Sequence, residues 1–178
     1  MRFKHIVAGA VCLALAAGTS SARTKGPKES KGPKESVTRI PIPNSSFPIS
    51  QGVLVPAGRE TLYLSGTVGS VVHPDAAKGS VAAYGDTEEQ TVSALKKIQG
   101  ILAGQKMSLG DIVMMHAYLA PDPAKGGKMD FAGFMAGYSQ FFGTGEQPAK
   151  PARTAMQVAG LAAPWALIEI EVIAVRPQ

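Results

Sequence analysis

The sequence predicts an α+β fold, with two helices packed on one face of a mixed sheet. Three observations carry this. Apolar residues recur at spacings of three and four in the stretch Thr87 to Gln105. An aromatic stripe, Phe131, Phe134, Met135, Tyr138, Phe141 and Phe142, follows at helical spacing. Short runs with a strand's alternation stand before, between and after these stretches. The order read from the chain is β-β-β-α-β-α-β-β.

Val37 to Pro43 reads as a first strand, with Pro41 and Pro43 placing it at an edge or ending it. Gly52 to Gly58 and Glu60 to Gly66 read as a hairpin turned at Ala57-Gly58-Arg59. Thr67 to Tyr84, rich in glycine and alanine, reads as loop. The first helix, Thr87 to Gln105, shows a stripe of Val92, Leu95, Ile98 and Leu102 with Ile101 beside it. Thr87-Glu-Glu-Gln90 has the pattern of a capping box, and Glu88 and Glu89 suit the positive end of the helix dipole. Asp111 to Leu119 is a strongly apolar strand. Asp130 caps the second helix, which Gly143 closes.

The last quarter of the domain carries charge where a sheet normally buries apolar side chains. Arg153, Ala155 and Gln157 share one face of the run Pro151 to Leu161, and Glu169 and Glu171 share one face of the run Leu167 to Val175. Gly160 to Ala166 suits a hairpin connection. An antiparallel pair centred near Ala163 sets Gln157 opposite Glu169, with Arg153 roughly 13 Å along the strand. That separation leaves room for a small anion between guanidinium and carboxylate. A cross-strand charge pair at the sheet edge is the plain structural alternative.

Met1 to Ala22 reads as a cleavable secretory signal: Arg2, Lys4 and His5, an apolar run from Ile6 to Ala17, then Ser20-Ser21-Ala22. The run is too short to span a bilayer, so the expected location is periplasmic or secreted, with no stable membrane anchor. Cys12 lies in that run, which leaves the mature chain without a disulfide or thiol nucleophile. Residues 23–36 repeat Lys-Gly-Pro-Lys-Glu-Ser directly and read as a disordered basic spacer before a domain at 37–178.

The formal charge of +5 resides in these N-terminal segments, because eleven basic and eleven acidic residues balance from Val37 onward. A neutral body gives little support for a nucleic-acid partner. His73 and His116 stand 43 positions apart without a metal-ligand motif. The chain shows no phosphate loop, dinucleotide fingerprint or nucleophile elbow. No metal and no cofactor are expected. His116, on an apolar strand, reads as a hydrogen-bonded core residue. Arg153, whose planar fork holds a carboxylate bidentately, and Glu169, able to orient or deprotonate a water, are what remain for chemistry.

Pro151-Ala-Arg-Thr-Ala155 with Ile168 to Val175 resembles the C-terminal signature of the Rid family of reactive intermediate deaminases. Leu62 to Thr67, Gly85 to Thr91, Leu109 to Val113 and Tyr138 to Phe142 match the family pattern in order. The resemblance implies a chorismate-mutase-like fold assembled as a homotrimer, with sites in clefts between subunits. It implies hydrolysis of 2-imino acids to 2-keto acids and ammonia without metal or cofactor. Carried over, Arg153 holds the substrate carboxylate, Glu169 positions the attacking water, and backbone N–H groups near Ala155 and Gly66 orient the ligand. The chain departs from the pattern at Ile49, where the family often has tyrosine, at Met135, where asparagine is common, and at Ala155, where the family has a small polar residue or cysteine. The leading expectation is an exported deaminase of small 2-imino or enamino acids; a non-catalytic trimeric binder of small carboxylates is the alternative.

Overall fold

The structure, a computed structural model, describes residues 36–178. The signal peptide and nearly all of the spacer lie outside the described residues. Six strands and three α-helices make up the domain, with short 3-10 turns at Leu109–Asp111 and Pro123–Lys125. The strands are β1 (Thr38–Pro41), β2 (Ser50–Leu54), β3 (Thr61–Thr67), β4 (Ile112–Leu119), β5 (Ala152–Gln157) and β6 (Ile168–Val175); the helices are α1 (Val81–Tyr84), α2 (Thr87–Gly104) and α3 (Phe131–Tyr138). The strands form one mixed sheet in the order β1-β2-β5-β4-β6-β3.

Burial alternates cleanly along β4 and β6, as a sheet covered on one face requires. Ile112, Met115, Ala117 and Leu119 of β4 join Ile168, Ile170, Val172 and Ala174 of β6 in the core. Leu95, Ile98 and Leu102 of α2 and Phe134 and Tyr138 of α3 close over them. The predicted architecture of two helices on one face of a mixed sheet is therefore present. The other face carries Met114, His116, Tyr118, Glu169, Glu171 and Ile173, and no described helix covers it.

Both predicted hairpins are absent. β2 pairs with β1 and β5, and β3 pairs with β6, so β2 and β3 lie near opposite edges of the sheet. β5 and β6 are separated by β4, which runs parallel to β5 and antiparallel to β6. The connection after β5 passes round the end of β4. Val158 N–H donates to Leu119 O at 2.9 Å, and Ala120 N–H to Leu167 O at 2.9 Å. Period-two alternation fixes which face a side chain takes but is blind to which strand lies alongside. The helix α3 supplies the long crossover that β4 and β5 need to run parallel.

Local details differ too. Asp86, not Thr87, caps α2. Its carboxylate accepts from Glu89 N–H at 2.9 Å while Glu89 accepts from Asp86 N–H at 3.1 Å, a capping box one residue earlier than predicted. Gln90, predicted as a box member, is instead fully buried. Its amide donates to Gly85 O and Trp165 O and accepts from Leu167 N–H, tying α2 to the segment that enters β6. Val92 and Ile101 stand off the buried face, and Ala94 takes the place assigned to them. α3 ends at Tyr138, and Phe142 reaches the core from the irregular turn leading to Gly143. The stretch predicted as loop contains α1.

Candidate functional site

Arg153 pairs in register with Met115, a core residue, so its side chain points to the helix layer. There the guanidinium is boxed by aromatic rings. Its carbon lies 4.4 Å from the Tyr138 ring centre, 4.8 Å from Phe134 and 5.4 Å from Phe47. Nη1 lies 3.3 Å from Met135 Sδ. The rings attract the cation through their π-faces. Hydrogen-bonding partners are few: the Tyr138 hydroxyl and the weakly accepting Met135 sulfur stand beside the guanidinium, Nε is buried without a partner, and among the described residues no acidic side chain forms an ion pair with Arg153. Burial lowers the guanidinium's pKa, which the Tyr138 hydroxyl only partly offsets. The Tyr138 hydroxyl itself donates to Pro48 O at 2.8 Å, and burial holds its pKa far above the usual phenol value.

Arg39 shows the contrast. It is also partly buried, but its fork donates to Lys150 O at 2.7 Å, Gly110 O at 2.6 Å and Ile112 O at 2.9 Å. That is an arginine spent on holding β1 to the ends of neighbouring segments. Arg153 is likewise desolvated, but its partners are a thioether and a phenol in place of three carbonyls, and an anion is what its geometry lacks. Ile49 and Ala155 are half-buried and pack against the core beside this region. Ile49 belongs to the Phe47-Pro48-Ile49 segment that the Arg153 and Tyr138 contacts hold in place.

Glu169 is elsewhere. It pairs in register with Tyr118 on the open face. Its carboxylate lies over the backbone of Gly66 in β3: a Cβ added at Gly66 would stand 2.7 Å from the Glu169 carboxyl carbon and closer still to Oε1. Gly66 is therefore required for a close approach rather than for its own dihedral angles. Arg153 and Glu169 thus lie on opposite faces of the sheet with β4 between their strands, and the expected gap between them within one chain does not exist. Four of the five expected residues fall into two half-sites, Arg153 with Ala155 and Glu169 with Gly66, and Ile49 stands beside the first.

The aromatic box was not anticipated. Phe134 and Tyr138, spaced i and i+4, read as core residues, and they are core; their second role depends on Arg153 arriving from β5. The sequence reading also missed a cluster on the open face. Tyr118 donates its hydroxyl to Glu171 Oε2 at 3.0 Å, which raises the phenol's pKa, and His116 Nδ1 lies 3.8 Å from the same oxygen. His116, expected in the core, is one-third exposed. Among the described residues, no group of three His, Cys, Asp or Glu side chains is placed to hold a metal ion.

The family model for endoribonuclease L-PSP matches residues 43–176. A RutC family protein of Leuconostoc mesenteroides subsp. cremoris is 34% identical over 143 residues, 80% of this chain and 98% of the relative. Among solved structures, Escherichia coli TdcF with bound serine is 30% identical, covering 73% of this chain and 89% of that one with a TM-score of 0.51. A Rid-family protein of Yersinia pestis, 24% identical, shares the fold over 79% of this chain and 98% of its own with a TM-score of 0.60. Together these place the chain in the endoribonuclease L-PSP family, the family of the RutC and Rid proteins.

Proposed function

We propose that this protein is an exported hydrolase of small 2-imino acids, with a site built from two copies of the chain. Arg153 and Ala155 of one copy meet Gly66 and Glu169 of the next. The observation that carries this reading is the half-buried guanidinium of Arg153, whose Nε has no hydrogen-bond partner and which no acidic side chain among the described residues neutralises. A carboxylate there would gain a bidentate, charge-assisted contact in surroundings of low polarity. The serine held by TdcF, a small α-amino acid, is a ligand of the same carboxylate class.

A composite site follows from the separation of the half-sites within one chain. The open sheet face supports self-association: Tyr63 is 76% exposed there, beside Ile173 and Met114. A homotrimer packed on these faces would bring one copy's β5 near the next copy's β3 and β6.

The chemistry then needs no metal or cofactor. Arg153 anchors the carboxylate of R–C(=NH₂⁺)–COO⁻. Water attacks the imine carbon as Glu169 takes one of its protons, giving a carbinolamine. That intermediate collapses to the carbonyl as nitrogen leaves with the proton returned, and the products are a 2-keto acid and ammonium. The test is to generate 2-iminopropanoate in situ and follow its decay with and without the protein. Decay no faster than in buffer would exclude the enzyme reading.

A second reading, a carboxylate binder without turnover, is favoured by one observation: the side chains touching the Arg153 guanidinium are Phe47, Phe134, Met135 and Tyr138, and none offers a free acid or base. Arg153-dependent binding of a keto acid without accelerated imine decay would select it. RNA cleavage is disfavoured by the balanced charge from Val37 onward.

A further inference from the structure

The apolar surroundings of Arg153 set more than affinity. Resting on the carboxylate reading just given, we infer that Met135, Ile49 and Phe47 select acids whose side chain is apolar and larger than a methyl group, and that they discriminate against small polar ones. Met135 touches the guanidinium directly through its sulfur at 3.3 Å and is only half-buried, so its thioether borders any molecule bound to the fork. Phe47 covers the guanidinium at 5.4 Å and is 38% exposed, leaving part of its ring open. Ile49 packs on the core two residues further and keeps some surface. The one hydroxyl among the guanidinium's neighbours, that of Tyr138, already donates to Pro48 O.

A ligand hydroxyl placed against this wall loses its water and meets no partner. An aliphatic side chain removes the exposed parts of Phe47, Ile49 and Met135 from water along with its own surface. Methionine adapts its shape to such a group at little strain. The chemical class is therefore the 2-imino and 2-keto acids derived from aliphatic amino acids with branched or longer side chains, rather than those derived from serine.

Calorimetric binding of three stable keto acids tests this without relying on turnover: pyruvate, hydroxypyruvate and 4-methyl-2-oxopentanoate. The expected order sets 4-methyl-2-oxopentanoate about tenfold or more tighter than pyruvate, the low end of what one methylene adds in an apolar pocket. Hydroxypyruvate is expected to bind no tighter than pyruvate. Met135→Gln keeps an unbranched side chain while adding an amide, and Ile49→Thr shortens the side chain and adds a hydroxyl; either should lower the ratio of 4-methyl-2-oxopentanoate to pyruvate affinity several-fold. The second variant decides the matter if the first fails to fold. Equal affinities for all three acids, each lost in Arg153→Met, would overturn the selectivity and leave the anion site standing. Binding that survives Arg153→Met would overturn the site and the selectivity together.

Discussion

Replacing Arg153 by methionine separates a functional arginine from a structural one. The structure shows two opposing contributions. Nε is buried without a partner, and relieving such a group recovers about 1–3 kcal/mol. Against this, contacts to three rings at 4.4, 4.8 and 5.4 Å are lost. At about 0.5–1 kcal/mol each they sum to a similar amount. Methionine refills much of the volume and makes its own sulfur–aromatic contacts of about 0.3–1.5 kcal/mol. The expected stability of Arg153→Met is therefore within about 1 kcal/mol of wild type, since the gains and losses are of equal size. An arginine with a buried ion-pair partner would behave differently, its removal destabilising by about 3–5 kcal/mol.

Thermal unfolding at fixed protein concentration reads both halves of the claim. With 2-oxobutanoate at about one hundred times its Kd, wild type should gain about 2.7 kcal/mol. That corresponds to a rise in Tm of roughly 5–11 °C for a domain of this size. Arg153→Met should show no rise. A loss of more than about 3 kcal/mol without ligand, or an undiminished ligand-induced shift in the variant, would refute the reasoning.

Three further outcomes follow from close contacts. Gly66→Ala should leave the fold intact, because the atom its methyl meets is the far end of a flexible glutamate, yet lower turnover as much as Glu169→Gln does; unchanged imine decay rates would break the link between Gly66 and Glu169. Gly137→Ala should destabilise by about 1–3 kcal/mol in urea unfolding, because the added methyl would lie 2.8 Å from Thr91 Cβ and 2.9 Å from Glu88 O where α3 rests on α2. Gln90→Leu should cost at least about 2 kcal/mol, because it strips partners from Gly85 O, Trp165 O and Leu167 N; a midpoint equal to wild type would mean that water replaces the amide.

The layers of this fold are legible in the sequence because burial imposes a period. Leu95, Ile98 and Leu102 repeat at helical spacing, and Met115, Ala117 and Leu119 at strand spacing, so the faces follow. The neighbours do not follow. Nothing in the run from Pro151 to Leu161 shows that β4 rather than β6 lies beside it, and a short Pro-containing connection invites the hairpin that the structure lacks. The error passes to the site. Placed on adjacent antiparallel strands, Arg153 and Glu169 frame one gap; placed correctly, they face opposite layers. Arg153 and Glu169 stand out as candidates in the sequence because a bidentate cation and an acidic residue in apolar strands are conspicuous. The aromatic box was not, because Phe134 and Tyr138 at helical spacing fit a core without any further role.

Mixing two inactive variants tests the composite site most directly. Arg153→Met and Glu169→Gln each remove one half-site of the proposed site, so either variant alone should hydrolyse 2-iminopropanoate no faster than its residual background. When the two are co-refolded in equal amounts, subunits assort at random. A site that takes its arginine from one copy and its glutamate from the next is then intact in about one quarter of cases. Recovery to about that fraction of the wild-type rate is the expected result. Mixed assemblies of confirmed composition that recover nothing, while the wild type is active, would contradict it: Arg153 and Glu169 would not then meet across subunits.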